Sequence, residues 1–419
     1  MDKKRKRISD GKFMNRSTIV SVSFGSQCVH IGSKAFENCI SLEKINEDNE
    51  IESIGENAFA RTKLSYANFS RLNNLNPGAF ERCSNLTYVN IPNYIEILSL
   101  TFAGCTNLTN IDIPQCSGKI GTSAFKECEN LKIVNNNAKL PFQIYDYAFC
   151  SCYNLSDIYF DGCTSIGDSA FTDCKKLNMI DLSKCVSIGE SAFAGCTNIS
   201  QITLSICEMI GSNAFANCTN LSKVYINNPS SIFCKLGNKY VFCTHDTVSI
   251  CSINSNITFY FKADSFDKYK EDSKWNHYAD NMKMTTQDNQ IIYTTNNNEI
   301  ISINNNDSNP ITKNEYYINY GLLEFESKLT SFNTMFQNSD TLTSVNIPYG
   351  CEIIESNAFE NCINLCEVHF DGSEPPKLGD NVFGVVKEDF KIFVPEDSLS
   401  KYNLAWETSE YLSYICSNI

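Results

Sequence analysis

Five residues in one stretch have the side chains of a nucleophilic centre. Cys234, Cys243, His245, Asp246 and Cys251 all fall within residues 229–260. A cysteine attacks as its thiolate, and a neighbouring imidazole that takes the proton makes this possible at neutral pH. An enzyme with a Cys–His pair on a grafted loop is therefore one reading of the chain. Two cysteine pairs have spacings close to those of metal ligands, Cys150-Ser151-Cys152 and Cys362-x-x-x-Cys366. A structural zinc site needs four such ligands, and the four histidines, His30, His245, His277 and His369, do not gather beside either pair. The chain has no Gly-rich phosphate loop, no Gly-x-Ser-x-Gly elbow and no His-Glu-x-x-His motif. Its carboxylates are scattered, so no acid–base pair stands out. The expectation is a non-enzymatic protein with no cofactor and no metal.

The cysteines follow a different rule. Nine of the 21 recur at one position of a repeated phrase: Cys39, Cys83, Cys105, Cys128, Cys152, Cys174, Cys196, Cys218 and Cys362. Cys28, Cys116, Cys163, Cys185, Cys207 and Cys351 form a second ladder ahead of it. The phrase reads Ile-Gly-x-x-Ala-Phe-x-x-Cys-x-x-Leu-x-x-Ile, as in Ile188, Gly189, Ala192, Phe193, Cys196, Ile199 and Ile202. Its phenylalanines, Phe36, Phe59, Phe80, Phe102, Phe125, Phe149, Phe171, Phe193 and Phe215, are spaced 21 to 24 residues apart. Self-similarity at this period is the mark of a solenoid. Cysteines in phase with such a repeat read as small buried hydrophobes, reduced in a reducing compartment.

Each unit of about 22 residues should make one circuit. Leu108-Thr-Asn-Ile111-Asp-Ile113 alternates with period two, so it predicts a strand with Ile111 and Ile113 inward. Ala-Phe-x-x-Cys has the spacing of a helical turn with Ala and Cys on one face. The second unit, Ala58-Phe59-Ala-Arg-Thr62-Lys-Leu64, lacks the cysteine and one residue, which predicts a tighter bend.

The domain reading places a flexible basic tail at 1–17, the repeats at 18–228 and an irregular segment with a cap at 229–285. An Asn-rich linker or hairpin follows at 286–315, then a second short repeat module at 316–372 and its cap at 373–419. The two caps share an order: Lys235-Leu-Gly, Val241-Phe242, Tyr269 and Trp275 in one, Lys377-Leu-Gly, Val382-Phe383, Tyr402 and Trp406 in the other. In the linker, Ile291-Ile-Tyr and Ile300-Ile-Ser-Ile303 flank Asn296-Asn-Asn, which predicts a hairpin.

The phrase resembles the BspA-like (Treponema-type) leucine-rich repeat family over most of the chain. The resemblance implies a curved, right-handed solenoid used for binding, with many members at the cell surface and linked to adhesion. The fold class is accordingly α/β, rich in β: a leucine-rich-repeat solenoid with one parallel strand per repeat and two capped modules. The repeated letters are core residues, so binding falls to the outward strand positions. The candidates are Tyr88, Asn90, Asn110, Asp112, Asp157, Tyr159, Asp181, Gln201, Thr203, Lys223 and Tyr225. Tyrosines on such a surface are common contact residues.

The partner expected is a protein, engaged through the sheet face by a chain that is either an adhesin-like surface molecule or an intracellular scaffold of the same fold. Net charge is −14, and beyond the basic run Lys3-Lys4-Arg5-Lys6-Arg7 the chain carries 29 basic against 47 acidic residues. That balance disfavours nucleic acid. No apolar run approaches the roughly 20 residues that span a bilayer, so membrane insertion is not expected. With no visible secretory signal, the cytoplasm is the favoured location, with a nuclear location or a non-classical route to the surface as alternatives, and the chain is expected to be a monomer. Of ten Asn-x-Ser/Thr sequons, five, at Asn85, Asn107, Asn154, Asn198 and Asn220, arise from the Cys-x-Asn-Leu-Thr/Ser phrase or its Ile variant. Glycans on every rung would crowd the strand entry, which argues against a eukaryotic secretory route.

Overall fold

The repeat folds as coils that stack through parallel strands. The structure, a computed structural model, describes residues 6–417 except 47–49, 93–94, 114–117, 137–141, 161, 179, 230, 246–250, 254–255, 286–287, 304–308 and 317–319. For residues 6, 135, 136, 157, 159, 160, 245, 251–253 and 264 it describes the backbone alone. The chain divides into two compact units, Met1–Tyr260 with Lys268–Lys283, and Phe261–Asp267 with Met284–Ile419.

In the first unit the expected strand is present in most coils, from Ser21–Val22 and Lys44–Ile45 through Tyr66–Asn68, Tyr88–Asn90 and Asn110–Asp112. It continues as Ile133–Asn136, Asp157–Phe160, Gln201–Leu204 and Lys223–Ile226. These strands pair in parallel register, for example Ile202 with Val224 and Thr203 with Tyr225. The expectation of one strand per repeat is corrected. A second parallel column runs through Cys28–Ile31, Ser53–Ile54, Phe142–Ile144, Cys163–Ile166, Ser187–Ile188 and Met209–Ile210. Most of these strands end at the Ile of Ile-Gly. The glycine is needed for close approach between coils, since a Cβ on Gly189 would stand 2.5 Å from the carbonyl carbon of Gly167 and 2.6 Å from the Asp168 nitrogen. Gly189→Ala should therefore lower stability by about 1–3 kcal/mol, the range for overpacking, read as a lower urea midpoint at unchanged slope. An unchanged midpoint would show that the coils can part there at no cost.

The Ala-Phe-x-x-Cys corner is not helical, which corrects the second expectation. In the coil around Phe171, Ala170 N bonds Gly167 O, Thr172 N bonds Ser169 O and Cys174 N bonds Phe171 O, all three residues back. Ser169 and Asp173 hold φ of 52° and 62°, as the third residue of a type II turn must. Successive turns free every second N–H, and Ser169, Phe171 and Asp173 donate theirs to Glu190, Ala192 and Ala194 of the next coil at 2.7–2.8 Å. A helix would have spent those groups internally.

This corner stacks phenylalanine on phenylalanine. From Phe13 through Phe36, Phe59, Phe80, Phe102, Phe125, Phe149, Phe171, Phe193 and Phe215 to Phe242 the ring centroids are 5.1–5.6 Å apart and near parallel. Each repeat cysteine is buried, as expected, yet is more than a hydrophobe. Its S–H lies 3.0–3.2 Å from the Phe carbonyl of the preceding coil, as Cys174 does from Phe149 O and Cys196 from Phe171 O. Thr62 holds this position in the short second unit, buried, with Oγ1 3.3 Å from Cys83 Sγ.

Phe13 opens the stack, which places residues 6–16 within a first coil rather than in a tail. Lys6–Ile8 pairs with Cys28–Ile31, and Gly11, Phe13 and Asn15 donate to Ser33, Ala35 and Glu37. Lys3, Lys4 and Arg5 of the basic run lie outside the described residues.

At the other end of this unit the cap supplies what a further coil would. The Phe215 N–H donates to Val241 O, but Phe242 has no such carbonyl ahead of it and donates to the Tyr278 hydroxyl at 3.3 Å. Tyr278 Oη passes its own proton to Lys239 O at 2.7 Å. Trp275 Nε1 donates to Cys234 O at 2.7 Å. In the second unit Phe383 N donates to Tyr411 Oη at 3.2 Å and Trp406 Nε1 to Pro376 O at 3.0 Å. The short helices Phe266–Glu271 and Leu399–Ala405 carry Tyr269 and Tyr402 into the same sites.

The second unit is built on one seven-stranded sheet. Leu342–Ile347, Glu367–Phe370, Lys391–Val394 and Ile415–Ser417 run parallel, while Gln290–Thr295, Gly321–Phe325 and Ile311–Tyr316 run antiparallel to their neighbours. The predicted hairpin between 291–293 and 300–303 is not formed. The turn after Thr295 exists, but Gln290–Thr295 pairs with Gly321–Phe325 instead. Gly321 has no side chain to obstruct the fully buried Tyr293 ring, whose hydroxyl donates to Asn314 Oδ1 at 2.9 Å.

Candidate functional site

The first strand column alternates as a half-buried sheet must. Val89, Ile111, Ile202 and Val224 point inward and are buried, while Tyr88, Asn110, Asp112, Gln201 and Thr203 are exposed and Asn90, Lys223 and Tyr225 half-buried. Tyr88 and Asn90 share a sheet with Tyr66 and Asn68. Asn110 and Asp112 align with Ile133 and Asn135, and Gln201 and Thr203 with Lys223 and Tyr225. Asp157 and Tyr159 lie on the strand Asp157–Phe160, and their side chains are outside the described set. Asp181 is exposed but sits on no strand, and its carboxylate accepts the Ser183 N–H at 2.9 Å.

Two aromatic pairs stand out on this face. The Tyr66 and Tyr88 rings stack at 5.4 Å and are 38% and 45% exposed. Beside them Asn90 Nδ2 donates to Asn68 Oδ1 at 2.8 Å. The Tyr225 and Tyr260 rings stack at 4.7 Å, and burial raises the Tyr225 hydroxyl pKa. Tyr66 and Tyr260 were not among the sequence candidates. Tyr66 follows the shortened second unit, whose missing residue hides its phase, and Tyr260 lies in the strand assigned to the cap.

The nucleophile reading loses two of its cysteines. Cys243 is disulfide-bonded. Cys234 is fully buried, and its hydrogen bond to Cys207 together with burial holds its thiol well above the ordinary range. The side chains of His245 and Cys251, and residue Asp246, lie outside the described residues. The two metal-like pairs diverge: Cys152 faces Phe125 O while Cys150 lies by Ser151 Oγ, and Cys362 faces Phe336 O while Cys366 faces Thr343 O. Among the described residues no three His, Cys, Asp or Glu side chains gather as a metal site, and no helix is long and apolar enough to cross a membrane.

The BspA type leucine rich repeat region matches the chain in six copies over residues 6–132, 142–271, 238–366 and 329–415. The chain belongs to the BspA type leucine-rich repeat family. No curated protein matches this repeat protein. Among solved structures, a leucine-rich repeat protein from Bacteroides ovatus is 18% identical, covering 99% of this chain and 87% of its own, with a TM-score of 0.45. The pneumococcal vaccine antigen PcpA is 16% identical over 67% of this chain and 69% of its own, TM-score 0.42. A leucine rich cell surface protein from Faecalibacterium prausnitzii is 16% identical over 99% of this chain and 83% of its own, TM-score 0.32. In this BspA type chain every letter of the repeated phrase is spent on core and coil spacing, which leaves the outward strand positions as the variable surface.

Proposed function

We propose that the chain is a protein-binding repeat protein whose ligand lies on the exposed face of the first strand column. The observation that carries this is the pair of tyrosine stacks, Tyr66–Tyr88 and Tyr225–Tyr260, held on strands whose alternate residues are buried. Aromatic side chains with few rotatable bonds lose little entropy on contact and dominate interface energetics. Asn68, Asn90, Asp112, Gln201 and Thr203 provide polar contacts between the two stacks. Rigid strands fix all of them, so little ordering cost falls due on binding.

A variant with Tyr66, Tyr88, Tyr225 and Tyr260 all changed to Ser tests this. Recovery of partner from a lysate of the source cell should fall by about tenfold or more, as expected for loss of several contact residues at about 1 kcal/mol or above each. The variant should stay folded, with stability lowered by about 1–3 kcal/mol for the two lost stacks, well below the cost of truncating core residues across the array. Unchanged recovery from a folded variant would move the binding site off this face.

A further inference from the structure

Cys207 and Cys234 close the second strand column of the first unit ahead of its cap. Both are fully buried, and the two thiols interact with each other. Cys163 and Cys185 each direct S–H to the carbonyl two residues on, Ser165 at 3.4 Å and Ser187 at 3.2 Å, and Cys207 does so to Met209 at 3.4 Å. Cys234 departs from that pattern, and its thiol interacts with that of Cys207 instead. The strands that follow pair in register, Met209 with Lys235. This sets Cys234 opposite Glu208, so Cys207 and Cys234 lie on neighbouring backbones offset by one residue. A sheet spacing of about 4.8 Å and a rise of about 3.3 Å put them about 6 Å apart, within the Cα span of a disulfide.

Both peptides are also pinned. The Asn228 side chain takes Cys207 N at 3.1 Å and gives to Cys207 O at 2.5 Å. Cys234 N donates to Tyr269 Oη at 3.0 Å, and Cys234 O accepts from Trp275 Nε1. The two aromatic anchors of the cap thus hang on the Cys234 peptide. In the second unit Cys351 occupies the place of Cys207, but Pro376 stands where Cys234 does and accepts the matching Trp406 bond.

We propose that Cys207 and Cys234 are an oxidisable dithiol, converted by a small-molecule disulfide into a bridge that fastens the first cap to its solenoid. The Cys207 thiolate attacks one sulfur of the oxidant, breaking its S–S bond, and the released thiolate takes up a proton. The Cys234 sulfur, losing its proton, then displaces the second oxidant thiol from the mixed disulfide on Cys207. Two protein thiols are oxidised and one disulfide is reduced to two thiols. Because both sulfurs are buried, the first step reports local opening of the cap.

The test uses the full chain and oxidised glutathione, followed by alkylation and peptide mass spectrometry. A Cys207–Cys234 linkage should form as the main new bridge while Cys351 stays alkylatable. Cleavage by protease within 263–283 should then slow by about tenfold or more. Glutathione appearing on the more accessible Cys28 and Cys366 with no Cys207–Cys234 linkage would overturn the proposal. Equal slowing of proteolysis in an oxidised C207S variant would overturn the stapling role.

Discussion

Raising the pH from about 8 to about 10 is expected to unfold the first unit. The cause is the ladder of buried thiols. Burial pushes the Cys83 thiol from its ordinary 9.0 to about 11 and that of Cys218 to about 12. It holds Cys105, Cys128, Cys174 and Cys196 well above that ordinary value. A thiol raised in the folded state stays neutral there while the unfolded chain has begun to ionise. The unfolded state then binds fewer protons, so stability is complete below the unfolded thiol pKa and is lost as pH rises through it. Each fully buried thiol gives up about 1.4 kcal/mol per pH unit beyond that point. Six acting together remove about 5–10 kcal/mol by pH 10, which is comparable with the whole stability of a domain. Urea midpoints measured across this range should collapse, and replacing two ladder cysteines by Ser should flatten the fall. Equal midpoints at pH 8 and pH 10 would mean that the thiols are not what the unfolded chain ionises.

The same cysteines mark where sequence reasoning reached and where it stopped. Their phase with Phe and Ala already implied burial, because side chains that recur at the coil period must stack on one another. Their hydrogen bonds were not legible, since a thiol and a small hydrophobe leave the same trace in a repeat. The spacing of Ala, Phe and Cys fits a helical turn and a pair of type II turns equally well. What separates them is Ser191 and Gly195, or Asn213 and Asn217, at the two positions that need positive φ. The second strand column escaped because strands such as Ser187–Ile188 are two residues long and show no alternation. Phe13 escaped because Lys12 and Arg16 stand where most other coils have Ala and Cys.

On the proposed binding face the outcome was mixed for a physical reason. Inward and outward positions follow from the pleat once a strand is located, so Tyr88, Asn110, Asp112, Gln201 and Thr203 could be placed from the pattern of their neighbours. Whether a given coil forms the strand depends on its pairing partners. Asp181 shows this, since its coil has the repeat letters but its carboxylate caps a local turn. The tyrosine stacks depend on residues in adjoining coils facing each other at one sheet spacing. A sequence shows that only when both coils have the regular length, which the coil of Tyr66 lacks.

Replacing Phe171 by Ala is expected to cost the first unit about 3–5 kcal/mol, near the top of the range for truncating a core aromatic. The ring is fully buried and sits 5.2 Å from both Phe149 and Phe193, with interplanar angles of 6° and 4°. Truncation removes two stacked contacts, each about 0.5–1.5 kcal/mol beyond area burial, and opens a gap that neighbouring coils cannot fill without shortening their own spacing. Phe13→Ala at the start of the same stack should cost about 1–2 kcal/mol, because that ring is half-buried and has one ring of the stack beside it, Phe36 at 5.2 Å. Phe171→Leu, which refills most of the volume but not the stack, should fall between them. In a repeat array each coil is stabilised by its immediate neighbours. A loss at Phe171 should therefore weaken the coupling between the coils on its two sides, seen as a broader urea transition as well as a lower midpoint. If Phe13→Ala and Phe171→Ala destabilise equally, stacking between coils is not what makes the phenylalanine column cohere, and area burial alone would account for its cost.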